Sequence, residues 1–295
     1  MHASSVDTAR MRFGTSRAVR AAATRPGIRF VPTDAGLVRV RDSGGTGPVL
    51  LLVCDPPNVI EHYDAVVELL APTHRVVCGE LPGFGFSRPS RGFGFTLPEY
   101  ESVTEQLLEN LNLTRVTLAF PCVWGYVALR VAARRADLVE GLVLAQIPEW
   151  SQEVAWARRI DSTGIIRTPL IGQVLMAVVP SWVADRWYQT ALPPGQSSEP
   201  FVEPVTTALR SGAVFCLASL TQAWFARPAP VLPVVTQPVR LLWGRADRSH
   251  RRSDPESLLP YLPHGRVVAY EGAGHFPELE HPDRLRQALT ALGSI

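Results

Sequence analysis

The chain has 295 residues, 46% hydrophobic and 19% charged, with a formal net charge of +2. That balance builds one sizeable core and, without a basic stripe interleaved with aromatics, argues against a nucleic acid partner. All 29 basic residues are arginine, which excludes Schiff-base lysine chemistry and lysine-dependent phosphate loops. The four cysteines, Cys54, Cys78, Cys122 and Cys216, form no CxxC pair; this argues against a zinc site or disulfide framework and for a reducing, cytoplasmic setting. No apolar run reaches the roughly 20 residues of a membrane-spanning helix.

In chain order, residues 1–25 carry five arginines and one acid without an apolar signal core, the composition of a mobile tail. The runs Leu37 to Arg41 and Val49 to Val53 flank Ser43-Gly44-Gly45-Thr46-Gly47-Pro48, which predicts an opening hairpin. Then come a helix near His62 to Ala71, a strand at Arg75 to Gly79, a helix at Pro98 to Leu111 and a strand at Arg115 to Phe120. Trp124 to Arg135 has helical spacing, and Gly141 to Ile147 reads as a buried strand. This alternation predicts an α/β fold on a mostly parallel sheet. It stops at Pro148. Residues 150–229, rich in tryptophan and broken by proline and glycine, form a predicted helical cap inserted into a core of 26–149 and 230–295. Strand Val239 to Gly244, helix Pro255 to Leu262, strand Arg266 to Tyr270 and helix Pro277 to Leu292 complete the sheet.

Three stretches carry a resemblance: Cys78-Gly79-Glu80-Leu81-Pro82-Gly83-Phe84-Gly85-Phe86-Ser87, Trp243-Gly244-Arg245-Ala246-Asp247, and Gly272-Ala273-Gly274-His275-Phe276. Their order and spacing resemble the α/β-hydrolase superfamily, in the cap-bearing branch with esterases, C–C hydrolases, epoxide hydrolases and haloalkane dehalogenases. The resemblance implies a nucleophile, an acid and a histidine in that chain order, each on a loop at a strand's carboxyl end. The nucleophile elbow falls on Phe120-Pro121-Cys122-Val123-Trp124, so Cys122 stands where serine or aspartate is usual. Asp247 and His275 complete a Cys-His-Asp triad. Both flanking glycines of the elbow are replaced, by Phe120 and Trp124, which are expected beside the substrate pocket.

The resemblance also puts Asp55, in Val53-Cys54-Asp55-Pro56-Pro57, at an oxyanion-hole position, with Val123 supplying the second N–H. The Asp55 carboxylate could instead do acid-base work. No metal and no cofactor is implied. The aromatic cap suits a hydrophobic small molecule, an ester, thioester or lactone, and specialised metabolism. Arg245, Arg248, Arg251 and Arg252 could hold an anionic handle or form a solvated loop. The rival readings are a non-hydrolytic cyclase, lyase or isomerase using His275 and Asp55, and a ligand-binding protein with an idle triad. The oligomeric state is open.

Overall fold

The computed structural model describes residues 4–10 and 23–292. Its main sheet runs in the order β1-β2-β4-β3-β5-β6-β7-β8, where β1 is Ile28–Thr33, β2 Gly36–Asp42, β3 Val49–Val53, β4 Arg75–Gly79, β5 Val116–Pro121, β6 Val139–Ala145, β7 Val239–Gly244 and β8 Gly265–Tyr270. From β4 to β8 all neighbours are parallel, while β1, β2 and β4 pair antiparallel. Side chains alternate across the sheet. In β3, Leu51 and Val53 enter one core and Leu50 and Leu52 another. A strand buried on both faces reads as a continuous apolar run, as Val49 to Val53 does.

The helices are α1 (Ser4–Arg10), α2 (Asp64–Leu70), α3 (Leu97–Asn110), α4 (Trp124–Arg134), α5 (Trp150–Ile160), α6 (Ile171–Val178), α7 (Pro180–Ala191), α8 (Glu199–Arg210), α9 (Leu217–Phe225), α10 (Pro277–Glu280) and α11 (Pro282–Leu292). The helices α3 and α4 cover one face of the sheet, and α2 and α11 the other. Helix α3 begins at a reciprocal cap, in which Thr96 Oγ1 accepts from the Glu99 N–H and the Glu99 carboxylate accepts from the Thr96 N–H, one of the strongest local start signals. The helices from α5 to α9 lie between β6 and β7 in sequence.

The predicted hairpin differs from the observed pairing. Strand β2 pairs with β1 and β4, and β4 lies between β2 and β3. The glycine-rich loop carries the chain past β4, which bonds both loop ends: Ser43 N–H donates to Val76 O and Arg75 N–H to Pro48 O, at 2.9 and 3.0 Å. The helix expected at Pro255 to Leu262 is a single 3-10 turn at Leu259–Tyr261, because Pro255 and Pro260 each remove a donor. The final helix is divided at Pro282 for the same reason.

The tail expected over residues 1–25 is anchored where it is described. Asp7 in α1 is buried and accepts from Ser219 Oγ of α9 at 2.7 Å. Ala23 is buried beside Val59, Phe86 and Ala208. Its carbonyl accepts from Arg39 Nε at 2.8 Å. Residues 11–22 lie outside the described residues. No helix among the described residues is long and apolar enough to cross a membrane.

Candidate active site

Strand β5 ends at Pro121, and Cys122 turns the chain into α4 with φ at 48°. A side-chain-bearing residue pays a steric penalty there. The turn is held by the Cys122 N–H donating to Ala145 O at 2.7 Å and the Gly125 N–H to Cys122 O at 2.9 Å. The close approach that flanking glycines would normally allow falls on Gly125, where a Cβ would lie 2.4 Å from the Ile147 side chain.

Phe120 and Trp124 pack into the protein beneath the elbow. Phe120 is buried and borders a cavity of about 10 Å³ shared with Tyr63 and Glu278, room for about one water. Trp124 is fully buried, with edge contacts to Tyr100 at 4.7 Å, Phe84 at 5.6 Å and Trp224 at 5.9 Å. Its indole N–H donates to Cys54 O at 3.0 Å, which ties the elbow to the loop carrying Asp55.

His275 and Asp247 meet as the order of motifs implies, with His275 Nδ1 2.7 Å from Asp247 Oδ2. On the other side of the ring, Nε2 lies 3.3 Å from Asp55 Oδ2, an ion-pair distance without hydrogen-bond alignment. A sulfur, a carboxylate oxygen and a ring nitrogen from Cys122, Asp55 and His275 all fall within 4.8 Å of one another. All four residues are buried, His275 completely. The His275 backbone N–H donates to Ala191 O at the end of α7, at 2.9 Å.

Burial alone would lower the His275 pKa, but the charges of Asp247 and Cys122 and the hydrogen bond to Asp247 hold it well above the usual histidine range. Asp247 follows the same logic with the opposite sign: burial pushes it up, and the imidazolium pulls it down to about 2. Burial raises Asp55. Burial, then the charges of Asp55 and Glu153, push up the Cys122 thiol. The surroundings thus favour the protonated form of His275, which lies between two aspartates, and the neutral form of the Cys122 thiol.

The two expected oxyanion donors differ. The Val123 N–H has no acceptor among the described residues, whereas the Asp55 N–H donates to Tyr63 Oη at 3.1 Å. Tyr63 in turn donates to Glu278 Oε1 at 3.3 Å. The arginines Arg245, Arg248, Arg251 and Arg252 are all exposed, outside this buried cluster, and Arg245 pairs with Glu271.

Several contributors carry no motif. Gln146, with φ at 49°, donates from Nε2 to Asp247 Oδ2 at 2.7 Å and accepts the Gly244 N–H at 2.8 Å. His250 stacks on His275 at 5.3 Å and on Trp156 at 5.0 Å, and burial drops its pKa to about 3. Trp187 meets the His275 ring edge-on at 4.8 Å. Glu153 on α5 is fully buried with neither carboxylate oxygen partnered. A carboxyl in the first turn of a tryptophan-bearing cap helix was the one sequence signal for it. Asp247, His250 and His275 also converge within 4.8 Å. There Asp247 holds His275 Nδ1, and His250 Nδ1 lies 3.0 Å from Ser253 Oγ while its Nε2 is unpartnered.

A model of the alpha/beta hydrolase family matches residues 50–288. The chain is 26% identical over 278 residues to haloalkane dehalogenase 2 of Mycobacterium bovis, covering 88% of this chain and 93% of that protein. It is 25% identical over 266 residues to the pimeloyl-[acyl-carrier protein] methyl ester esterase of Nitrosomonas europaea, covering 85% and 98%. Epoxide hydrolase A from Mycobacterium thermoresistibile superposes with a TM-score of 0.73 at 15% identity, over 91% of this chain and 98% of that one.

Proposed function

The chain belongs to the alpha/beta hydrolase family, and on that premise we propose that it cleaves or transfers the acyl group of a hydrophobic ester, thioester or lactone, with Cys122 as nucleophile. The observation that carries this reading is the 48° φ of Cys122, which gathers its thiol, His275 and Asp55 within 4.8 Å. Backbone strain of this kind persists where the surroundings enforce it, and here they present a sulfur at a helix start.

The sulfur attacks the acyl carbon while its proton passes to the Asp55-His275 pair, so no free thiolate need stand in the resting site. Asp247 holds the ring by Nδ1, and the Val123 N–H supports the developing oxyanion. Protonation of the leaving oxygen or sulfur releases the alcohol or thiol. Water then cleaves the acyl-cysteine. This chemistry separates the chain from the dehalogenase and epoxide hydrolase it is similar to: a cysteine alkylated by a halide or epoxide would be a thioether, which water does not cleave. An acyl-cysteine is a thioester, which it does.

The contact between His275 Nε2 and Asp55 favours a second reading, acid-base catalysis without a covalent intermediate. Incubation with para-nitrophenyl butyrate, acid quench and intact mass measurement separates the two. The nucleophile reading expects one butyryl increment, absent in Cys122→Ala, together with a loss of turnover of about 100-fold or more. Near wild-type turnover in Cys122→Ala, lost in Asp55→Asn, would replace it with the second.

A further inference from the structure

Glu153 is a buried acid that the protein leaves unanswered. It sits in the first turn of α5, three residues before Trp156, whose ring stacks over His275 at 6.1 Å with planes 12° apart. That turn of the lid therefore faces the imidazole. Both carboxyl oxygens are inaccessible and unpartnered, an arrangement that costs stability unless a ligand completes it.

The groups within electrostatic reach come from every side: His275, Asp55 and Asp247 from the sheet loops, Cys122 from the elbow, Tyr126 from α4, and Arg159 from the same helix. Burial, reinforced by the two aspartates and opposed by His275 and Arg159, raises Glu153 to about 8. It is thus an uncharged O–H donor at neutral pH. The His275 Nε2 faces Asp55, so a leaving group on the lid side has a nearer need for another proton.

We propose that Glu153 is a lid-borne general acid that protonates the leaving oxygen of an ester or lactone, which makes oxygen esters of ordinary alcohols the substrate class of this site. The inference rests on the acyl-cysteine reading above. In the first half-reaction the sulfur–carbon bond forms, the carbon–oxygen bond breaks, the thiol proton goes to the Asp55-His275 pair, and the Glu153 proton goes to the departing alkoxide. In the second, water attacks the acyl-cysteine and gives its proton to solvent, the departing sulfur recovers the proton held by the pair, and Glu153, where it has given up its proton, regains one from solvent. Every group ends as it began. A good leaving group, such as para-nitrophenolate, needs no such acid.

The test compares methyl butyrate with para-nitrophenyl butyrate, which share an acyl group, in the full-length wild type and in Glu153→Gln. For the variant, kcat/KM on the methyl ester should fall about 100-fold or more while that on the activated ester stays within about threefold, the size of effect a positioned general acid supplies. Equal loss on both esters, loss on neither, or a wild type that cleaves only the activated ester overturns the proposal. The wild type gives a reading that does not depend on the variant folding: methyl ester turnover should decline above about pH 8 and activated ester turnover should not. Matching alkaline limbs overturn it too. Failure of the acyl-cysteine reading is seen separately, as absence of the butyryl adduct in the wild type.

Discussion

Gln146 ties its own loop to the end of β7 with one amide. It donates to the Asp247 oxygen that also holds His275, and it accepts from the Gly244 backbone. In Gln146→Leu, Asp247 loses one of the contacts that orient it. An unmade bond to a charged group is worth about 1.5–3 kcal/mol, so kcat should fall roughly tenfold to a hundredfold with KM little changed. Steady-state kinetics on the activated ester checks this, and an unchanged kcat would remove Gln146 from the site. At this scale Cys122, Asp247 and His275 were legible because each sits in a run of recognisable residues after a strand. Gln146 and Glu153 were not, since their roles come from segments about a hundred residues apart converging in space. The spending of the Asp55 N–H on Tyr63 was hidden because it depends on how the loop after β3 turns back over only eight residues.

The element that seats the histidine is the end of β7. A Cβ added at Gly244 would stand 1.8 Å from Gly274 O, an approach no repacking of side chains relieves. Gly244→Ala must push the loop bearing His275 away from the sheet, so a cost of about 1–3 kcal/mol from overpacking is expected, with activity lost beyond what folding explains. Urea unfolding should show a lower midpoint at unchanged slope, and a wild-type midpoint would contradict the assignment. Helices and buried strands were readable from periodicity because each buries a regular face. Strand order was not. The run from 36 to 53 looks like a hairpin locally, and only the intrusion of β4, residues 75–79, between its arms decides otherwise.

Across the whole molecule, buried ionisable groups set how stability follows pH. Glu153 and Glu278, each raised to about 8 by burial, keep protons in the folded chain that the unfolded chain releases near the ordinary glutamate value of 4.5. Stability therefore falls as pH rises from about 4.5 to 8, by roughly 1.4 kcal/mol per pH unit for each group. His275, raised despite its burial, adds stability that is full below 6.5 and lost as pH rises further. His250, lowered to about 3, acts oppositely: the unfolded chain takes its proton below 6.5, so stability is lost as pH falls toward 3. Together these place the optimum on the acidic side of neutrality, with a steep decline from 6.5 to 8. Thermal melts across that range should show it, and the double variant Glu153→Gln, Glu278→Gln should flatten it. A melting temperature that rises from 6.5 to 8 would mean that both carboxyls ionise in the folded chain.

The bond from the His275 N–H to Ala191 O makes the histidine and the end of α7 one mechanical part. Swinging that end outward would unseat the loop that carries the imidazole, so a doorway there would dismantle the catalyst each time it opened. Tyr188, which donates to Asn58 at 2.8 Å, bolts the same helix to the core. Helix α6 is tied to a different neighbour, with Gln173 donating to Ser219 and Gln222 of α9. An opening that keeps the histidine seated must therefore leave α7 in place.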